Sequence, residues 1–299
     1  MEAAPEIRFM WLEITGRCQL RCIHCYADSG PEGGHGTMTA ADWERVIDQA
    51  AGAGVQVVQF IGGEPTLHPA LARLIGHALA GGLGVEVFTN LVHVTPALWA
   101  TFAQPGVSLA TSWYSDDAAE HAAVTGRPSH ARTRDGIAEA VRRSIPLRVG
   151  IVGVLDRQRT QQARAALTAL GVTDIGYDDL RQVGRGMRSA TLSPGQLCGH
   201  CADGNLAVAP DGTVWPCVFA RWLPVGNLHD ESLRDVLTGP RLAAVTAQLR
   251  AAFIPIEMPC VPRMCDPQCG PSCSPACRPQ CNPQGPCRPR GGCVPNYGR

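Results

Sequence analysis

The chain has 299 residues, 45% of them hydrophobic, and its 26 basic side chains balance its 26 acidic side chains. This length and apolar content allow one full-size domain core with an appendage. The balanced charge gives no reason to expect a nucleic-acid partner or binding to an acidic membrane surface. Because the sequence contains no lysine, a pyridoxal-phosphate Schiff base and a phosphate-loop lysine are both excluded.

Short apolar runs alternate with longer amphipathic runs from Phe9 to about Leu180. This alternation is typical of βα units that build a parallel sheet. Strands are predicted at Phe9–Ile14, Val55–Ile61, Val85–Thr89, Val107–Thr111, Leu147–Val154 and Asp174–Tyr177. Helices are predicted to begin near Thr39, Ala70, Thr95, Arg134 and Gln161. The sequence therefore predicts an α/β fold.

Three cysteines, Cys18, Cys22 and Cys25, follow the first predicted strand with the spacing Cys-x3-Cys-x2-Cys. A glycine-rich turn, Gly62-Gly63-Glu64-Pro65, follows the second predicted strand. Three soft ligands on one loop suit an iron-sulfur cluster in which one iron has no protein ligand. The alternative is a structural zinc site, but such a site requires four ligands and usually pairs of nearby cysteines.

Together, the cysteine loop and the Gly-Gly-Glu-Pro turn resemble those of the radical S-adenosylmethionine (SAM) superfamily. The resemblance implies an open, partial (β/α)6 TIM-like barrel with its active site at the carboxyl ends of the strands. It also implies that Cys18, Cys22 and Cys25 hold a 4Fe-4S cluster whose open iron binds SAM. One electron would then cleave SAM to methionine and a 5′-deoxyadenosyl radical, which abstracts a hydrogen atom from substrate.

The resemblance further implies a set of SAM contacts: Gly62, Gly63, Glu64, His24, Asn90, Ser112 and Arg185. In this set Glu64 accepts from the methionine ammonium group, and His24 lies near the adenine. Asn90 and Ser112 occupy positions that contact methionine or ribose groups, although a turn or capping role is the alternative for each. For Arg185 the alternative is an exposed arginine in a linker.

Acidic and phenolic side chains end the last predicted strand. Tyr177 and Asp178, followed by Asp179, are candidate catalytic residues that accept or donate a proton beside the substrate. The alternative for this cluster is a solvated strand end.

A second unit follows a connector rich in Gly, Ser and Arg at residues 181–197. Cys198 and Cys201 precede a predicted hairpin with an Asp-Gly turn, and Cys217 follows it. A helix is predicted from about Ser232 to Ala252. This arrangement resembles the SPASM/twitch extension of radical SAM enzymes, which implies an auxiliary iron-sulfur cluster on Cys198, Cys201 and Cys217; zinc is the alternative.

The later cysteines depart from the SPASM pattern, because Cys260 and Cys265 are spaced by four residues where that pattern has two. The resemblance implies that these two complete the auxiliary cluster. Beyond them, proline and cysteine alternate too densely for a helix or a packed core, so the distal tail is predicted to be disordered. The predicted divisions are a barrel at 1–182, a SPASM/twitch-like domain at 183–259 and a Cys/Pro-rich tail at 260–299.

Fourteen cysteines without an N-terminal signal sequence predict a reducing, cytoplasmic location. No apolar run approaches the roughly 18 residues of a membrane-spanning helix. The expected partners are a precursor peptide, an electron donor such as flavodoxin or ferredoxin, and a separate leader-peptide-binding protein. The last is expected because only about eight residues precede the first strand, too few for a fused peptide-reading domain.

Within the superfamily, the segment from Ser112 to Arg127 resembles the peptide-modifying branch. The function implied is modification of a ribosomally synthesised peptide (RiPP) by crosslinking, epimerisation or oxidation. The first alternative is a radical SAM dehydrogenase of a sugar or aminocyclitol. The second is a non-enzymatic, Cys-rich metal-binding protein, which accounts for the tail but not for Gly62-Gly63-Glu64 or the βα units.

Overall fold

The computed structural model describes residues 6–188 and 192–253. Six strands run parallel in the first part: β1 (Phe9–Thr15), β2 (Val57–Gly62), β3 (Gly84–Phe88), β4 (Val107–Trp113), β5 (Leu147–Gly153) and β6 (Asp174–Asp179). The helices between them are α1 (Ala40–Gly52), α2 (Leu71–Ala80), α3 (Pro96–Phe102), α4 (Ala118–Thr125), α5 (His130–Arg142) and α6 (Thr160–Ala169). The strands lie side by side in chain order. The predicted parallel α/β architecture is confirmed.

Successive side chains of a strand point to opposite sides, so the sheet has two different faces. One face carries Met10, Leu12, Val58 and Phe60, which are fully buried in the main core. Helix α1 packs its Trp43 and neighbouring apolar side chains into that same core. The other face carries residues such as Trp11, Gln59 and Arg148, which line a cavity. The helices therefore cover one face, and the opposite face is left for the functional site.

The second unit extends the same sheet. Strand β7 (Asn205–Val208) pairs in parallel with β1, β8 (Thr213–Trp215) pairs antiparallel with β7, and β9 (Gly226–Asn227) pairs antiparallel with β8. Gly212, with φ of 81°, makes the predicted turn between β7 and β8. The predicted hairpin is confirmed, and it joins the barrel through a continuous nine-stranded sheet.

Three helix predictions differ from the structure. The segment predicted as one helix from Ser232 forms α7 (Leu233–Thr238) and α8 (Pro240–Ala252), because Pro240 cannot continue the hydrogen bonding of α7. Helix α5 begins at His130, four residues before the predicted start. Helix α4 was not predicted, since it is short and its apolar residues form no single stripe; Asp117 caps it by accepting from the Glu120 amide.

Some predictions concern residues that the structure does not describe. Cys260, Cys265 and the tail at 260–299 lie outside the described residues. Among residues 6–188 and 192–253, no helix is both long and apolar enough to cross a bilayer.

Candidate active site

A cavity of about 1290 Å³ occupies the open face of the sheet and reaches the loops at the carboxyl ends of the strands. Most of the predicted site residues line it: Cys18, Cys22, His24, Cys25, Gly62, Gly63, Asn90, Ser112, Asp178 and Arg185. Glu64 and Tyr177 are not among its lining residues, and neither are Cys198, Cys201 and Cys217. The chain thus gathers one set of cysteines at the cavity and holds the other set apart from it.

The three cysteines of the first loop are free thiols surrounded by amide donors. The amide of Leu20 lies 3.4 Å from Cys18 Sγ, and the amide of Ser29 lies 3.4 Å from Cys25 Sγ. Burial raises the pKa of Cys18 to about 12, helped by the nearby charge of Glu64. Burial, with neighbouring Cys25, raises the pKa of Cys22 equally, to about 12. Without a cation, the thiols of Cys18 and Cys22 stay protonated, so metal binding must displace their protons.

Two glycines let the end of β2 approach the cysteine loop closely. A Cβ atom on Gly62 would lie 2.3 Å from the carbonyl oxygen of Thr15, and one on Gly63 would lie 2.3 Å from that of Arg17. Gly62 also has φ of 140°, which side chains rarely allow. The amides of Gly63 and Glu64 donate to Thr15 and Arg17 at 2.6 and 2.8 Å. The turn therefore fixes the backbone at the start of the cysteine loop.

Glu64 is fully buried behind this turn. Its Oε1 accepts from the Thr66 amide and from the hydroxyls of Thr66 and Thr89, at 3.1, 2.7 and 2.7 Å. Its Oε2 accepts from the Asn90 amide at 2.7 Å. The carboxylate therefore joins the loops that follow β2 and β3, and it acts from behind the cavity wall.

Asn90 continues this network to the first cysteine. Its Nδ2 lies 3.7 Å from Cys18 Sγ, and its Oδ1 accepts from Gln19 Nε2 at 3.0 Å. Ser112, at the end of β4, lines the cavity on the same side. An amide donor directed at the sulfur favours the thiolate form that a metal requires.

Arg185 clamps the cysteine loop from the connector. Its guanidinium donates to the Cys22 carbonyl at 2.9 Å, to Asp28 Oδ1 at 2.8 Å and to the Ser29 carbonyl at 2.6 Å. Its own amide donates to the Cys25 carbonyl at 3.0 Å. The sequence predicts that Arg185 contacts SAM. In this structure the guanidinium donates to the cysteine loop. The residue therefore holds the loop in shape.

His24 contacts Tyr114 on the cavity wall. Its Nε2 lies 3.3 Å from the Tyr114 hydroxyl, and the two rings meet edge to face. Burial, together with the charge of Arg185, lowers the pKa of His24 to about 4. The imidazole is therefore neutral at physiological pH.

The hairpin brings Cys201 and Cys217 together in a second, smaller apolar cluster, and Cys198 directly follows Leu197 of the same cluster in the chain. The Ala202 amide donates to the Pro216 carbonyl at 2.9 Å, which places the two cysteine segments side by side. The Cys201 thiol donates to Cys217, which lowers the pKa of Cys217 and raises that of Cys201. The convergence predicted from the hairpin is thus present, with all three thiols free.

An ion pair that the sequence analysis did not predict joins the second unit to the barrel. Arg221 donates to both carboxylate oxygens of Glu13 at 2.8 Å, and its guanidinium stacks 4.0 Å from the Trp215 ring. Nearby, Tyr26 and Phe219 meet edge to face with centroids 5.1 Å apart. These contacts link the residues that flank Cys25 to those that flank Cys217.

The two candidate catalytic residues lie on opposite faces of β6. Tyr177 is 54% exposed, does not line the cavity, and donates to Asp179 Oδ1 at 2.9 Å. Asp178 lines the cavity and accepts from Arg181 Nη2 at 3.0 Å. Period-two alternation separates neighbouring strand residues in this way, so Asp178 lies on the cavity wall and Tyr177 does not.

A polar group inside the cavity was also missed. Arg148 donates to both oxygens of Glu86 at 2.7 Å, and Gln59 donates to the same carboxylate. All three line the cavity, from β2, β3 and β5. The signal in the sequence is a charged residue at one position of an otherwise apolar strand, as in Val85-Glu86-Val87.

Two protein families match the parts of this chain that carry the two sets of cysteines. The family described as the radical SAM superfamily matches residues 12–161, half of the chain. The chain belongs to the radical SAM superfamily. A second family, described as an iron-sulfur cluster-binding domain and named SPASM, matches residues 198–281. This span includes Cys198, Cys201 and Cys217 together with Cys260 and Cys265.

Two relatives cover most of this radical SAM enzyme. The PqqA peptide cyclase of Streptomyces rochei is 30% identical over 272 residues, which span 76% of this chain and 74% of that protein. The PqqA peptide cyclase of Xanthomonas campestris pv. campestris (strain 8004) is 31% identical over 282 residues, 79% of this chain and 74% of that protein.

Solved structures share the fold. Streptococcus suis SuiB bound to the precursor peptide SuiA has a TM-score of 0.69 at 14% identity, covering 81% of this chain and 67% of that one. Native anSMEcpe with bound AdoMet and Cp18Cys peptide has a TM-score of 0.65 at 13% identity, covering 82% and 84%. The partial TIM-like barrel with a SPASM-type extension is therefore confirmed as the fold.

The family also settles the class and the cofactors. The protein is an enzyme, so the prediction of a non-enzymatic metal-binding protein is wrong. A 4Fe-4S cluster with SAM is confirmed as its cofactor, and at least one auxiliary iron-sulfur cluster is confirmed by the SPASM match. The two sets of free, convergent thiols suit these groups, because thiolates are the ligands that iron-sulfur clusters use.

Proposed function

We propose that this radical SAM enzyme closes a ring in a ribosomally synthesised peptide by forming a crosslink between two of its residues. The observation that carries this proposal is the match to peptide cyclases over about three quarters of both chains. A fold shared with SuiB, which was solved with its precursor peptide, supports a peptide substrate. Epimerisation or simple oxidation of a peptide residue are the other outcomes of the same chemistry.

Cys18, Cys22 and Cys25 are the proposed ligands of the SAM cluster. When bound, the cluster and SAM together supply a 5′-deoxyadenosyl radical that abstracts a hydrogen atom. Arg185, Gly62 and Gly63 hold the loop that carries the ligands. His24, Asn90 and Ser112 line the same cavity as the three cysteines, so their side chains would contact SAM when it is bound there.

The residues that line the cavity exclude water and accept a proton. Exclusion of bulk water from the reacting atoms protects a radical from side reactions. Arg148 and Glu86 form an ion pair on the cavity wall, so their opposite charges offset each other there. Asp178 is the proposed proton acceptor, because its carboxylate lies on the cavity wall at the end of β6.

Cys198, Cys201 and Cys217 are the proposed ligands of the auxiliary cluster, with Cys260 and Cys265 as the candidates that complete it. Such a cluster accepts the electron that a peptide product radical must lose. We also propose the divisions 1–182 for the barrel, 183–259 for the SPASM-type domain and 260–299 for the tail. An electron donor such as flavodoxin or ferredoxin and a separate leader-peptide-binding protein are the proposed protein partners, in the cytoplasm.

Co-expression with short peptides encoded next to this gene tests the proposal. A ring-forming crosslink removes two hydrogens from the peptide, and tandem mass spectrometry then shows no fragmentation within the ring. Unchanged mass in ordinary water, with uptake of one deuterium at an α-carbon in deuterated water, would indicate epimerisation instead. Modification of a sugar or aminocyclitol, with no neighbouring peptide modified, would replace the proposal with the dehydrogenase alternative.

A further inference from the structure

Arg181 lies shortly after the end of β6, beyond Leu180, and contacts both segments that carry the second set of cysteines. We propose that Arg181 is a positioning residue that sets the electron affinity of the auxiliary cluster and ties that cluster to Asp178 in the substrate cavity. The inference rests on the proposed ligands Cys198, Cys201 and Cys217.

The contacts of Arg181 bridge three parts of the molecule. Its Nη1 donates to the Gln196 carbonyl at 3.3 Å, two residues before Cys198. Its guanidinium lies 5.9 Å from the centroid of Phe219, two residues after Cys217. Its Nη2 donates to Asp178 at 3.0 Å. The side chain is only 21% exposed, so its charge is weakly screened by solvent.

The electrostatics of the three thiols support this placement. Its guanidinium contacts the segments that carry Cys198 and Cys217, and a positive charge beside such thiols favours their thiolate form. A cation that stabilises thiolates also stabilises the further negative charge that an accepted electron brings. The same side chain therefore favours assembly of the cluster and its reduction.

The pairing with Asp178 couples this effect to the peptide. The 5′-deoxyadenosyl radical takes one hydrogen atom from the peptide and becomes 5′-deoxyadenosine. After the crosslink forms, the peptide radical gives one electron to the auxiliary cluster and one proton to Asp178. The peptide thus loses two hydrogens in total, and the charges balance. Arg181 thus contacts both the proposed proton acceptor and the segments that carry the ligands of the proposed electron acceptor.

Redox titration of the intact enzyme tests the proposal without requiring peptide turnover. In Arg181→Met the equilibrium for one-electron reduction of the auxiliary cluster should fall about tenfold, a shift of about 59 mV to lower potential. Asp178→Asn removes a negative neighbour and should shift the potential in the opposite direction. Arg181→Lys keeps the charge and should return the potential toward that of the wild-type enzyme.

A matched control lies nearby on the outer side of the sheet. Arg164 is an exposed cation that donates to the Ile175 carbonyl at 3.2 Å, and Arg164→Met should leave the potential unchanged. Loss of the auxiliary cluster in Arg181→Met, with retention in Arg181→Lys, would also support the cation role. An unchanged potential in cluster-loaded Arg181→Met would overturn the inference, as would shifts of the same sign in Arg181→Met and Asp178→Asn. Because none of these readouts uses the peptide, they separate this inference from the proposed function.

Discussion

The two cysteine sites of this enzyme are built in opposite ways. Cys18, Cys22 and Cys25 lie on one loop, whose amides at Arg21 and Ile23 also donate to the carbonyls of α4 at 3.0 Å. Cys198 and Cys201 meet Cys217 only because β7 and β8 pair. The first set of ligands is therefore close in sequence, with distant segments bracing its loop, whereas the second set is brought together only by strand pairing. Changes in one site should therefore leave the other largely intact, and this independence is open to test.

The largest expected effect comes from removing the first set of ligands. Cys18→Ala, Cys22→Ala and Cys25→Ala together should abolish 5′-deoxyadenosine formation, because no thiolate then remains to hold the SAM cluster. Since the auxiliary site is separate, the variant should still bind roughly four irons and four sulfides, the content of one cubane cluster. Chromatography of the nucleoside and iron-sulfide analysis measure the two results. Nucleoside formation at the wild-type rate would contradict the assignment.

Removing the second set of cysteines should separate SAM cleavage from peptide modification. With Cys198→Ala, Cys201→Ala and Cys217→Ala, SAM cleavage should continue while modified peptide falls to background, because the electron of the peptide radical has no acceptor. The ratio of 5′-deoxyadenosine to modified peptide measures this uncoupling. Zinc rather than iron at this site in anaerobically purified wild-type enzyme would refute the auxiliary cluster at these three cysteines.

A smaller effect is expected for the clamp on the first loop. Arg185→Met removes charge-assisted hydrogen bonds, each worth about 1.5–3 kcal/mol, so SAM cleavage should fall roughly tenfold or more. Iron should also be lost faster to a chelator. The control is Arg21→Met, which removes an exposed pair with Glu32 in the same region and should have little effect. Equal losses in both variants would mean that the position of Arg185 has no special role.

The smallest effect concerns two matching helix caps, one in each region. Thr39 caps α1 and Ser232 caps α7, each within a capping box. Alanine at either position should cost about 1 kcal/mol of unfolding free energy. Because the sheet is continuous, both variants should shift one common thermal transition. Two separate transitions, with Ser232→Ala moving only one of them, would show that the extension unfolds independently.

The sequence predicted the strands well because their apolar runs are buried on the helix-covered face. It predicted the helices less well, since α4 lacks an apolar stripe and the break at Gly239-Pro240 interrupts an otherwise helical pattern. The pairing of β7 with β1 joins residues about two hundred positions apart, and no local pattern specifies it.

The site residues also differ in how far the sequence alone predicts them. The thiols of the first loop and the Gly62-Gly63 turn were predictable, because short spacing alone brings their chemistry together. The roles of Arg185 and Tyr177 were not, since they depend on distant backbone carbonyls and on the direction of one side chain in β6. The pair of Glu13 and Arg221, 208 positions apart, likewise appears only in three dimensions.

The addition of β7 to β1 also bears on the behaviour of the protein at high concentration. An exposed strand edge offers unpaired amides to a second molecule and promotes aggregation. Here β7 covers the edge of β1, and within the described residues the sheet ends at β6 and β9. Strand β9 has two residues, too few to template a neighbour, and β6 carries Asp174, Asp178 and Asp179. Short length at one end and negative charge at the other are features that keep edge strands from pairing between molecules.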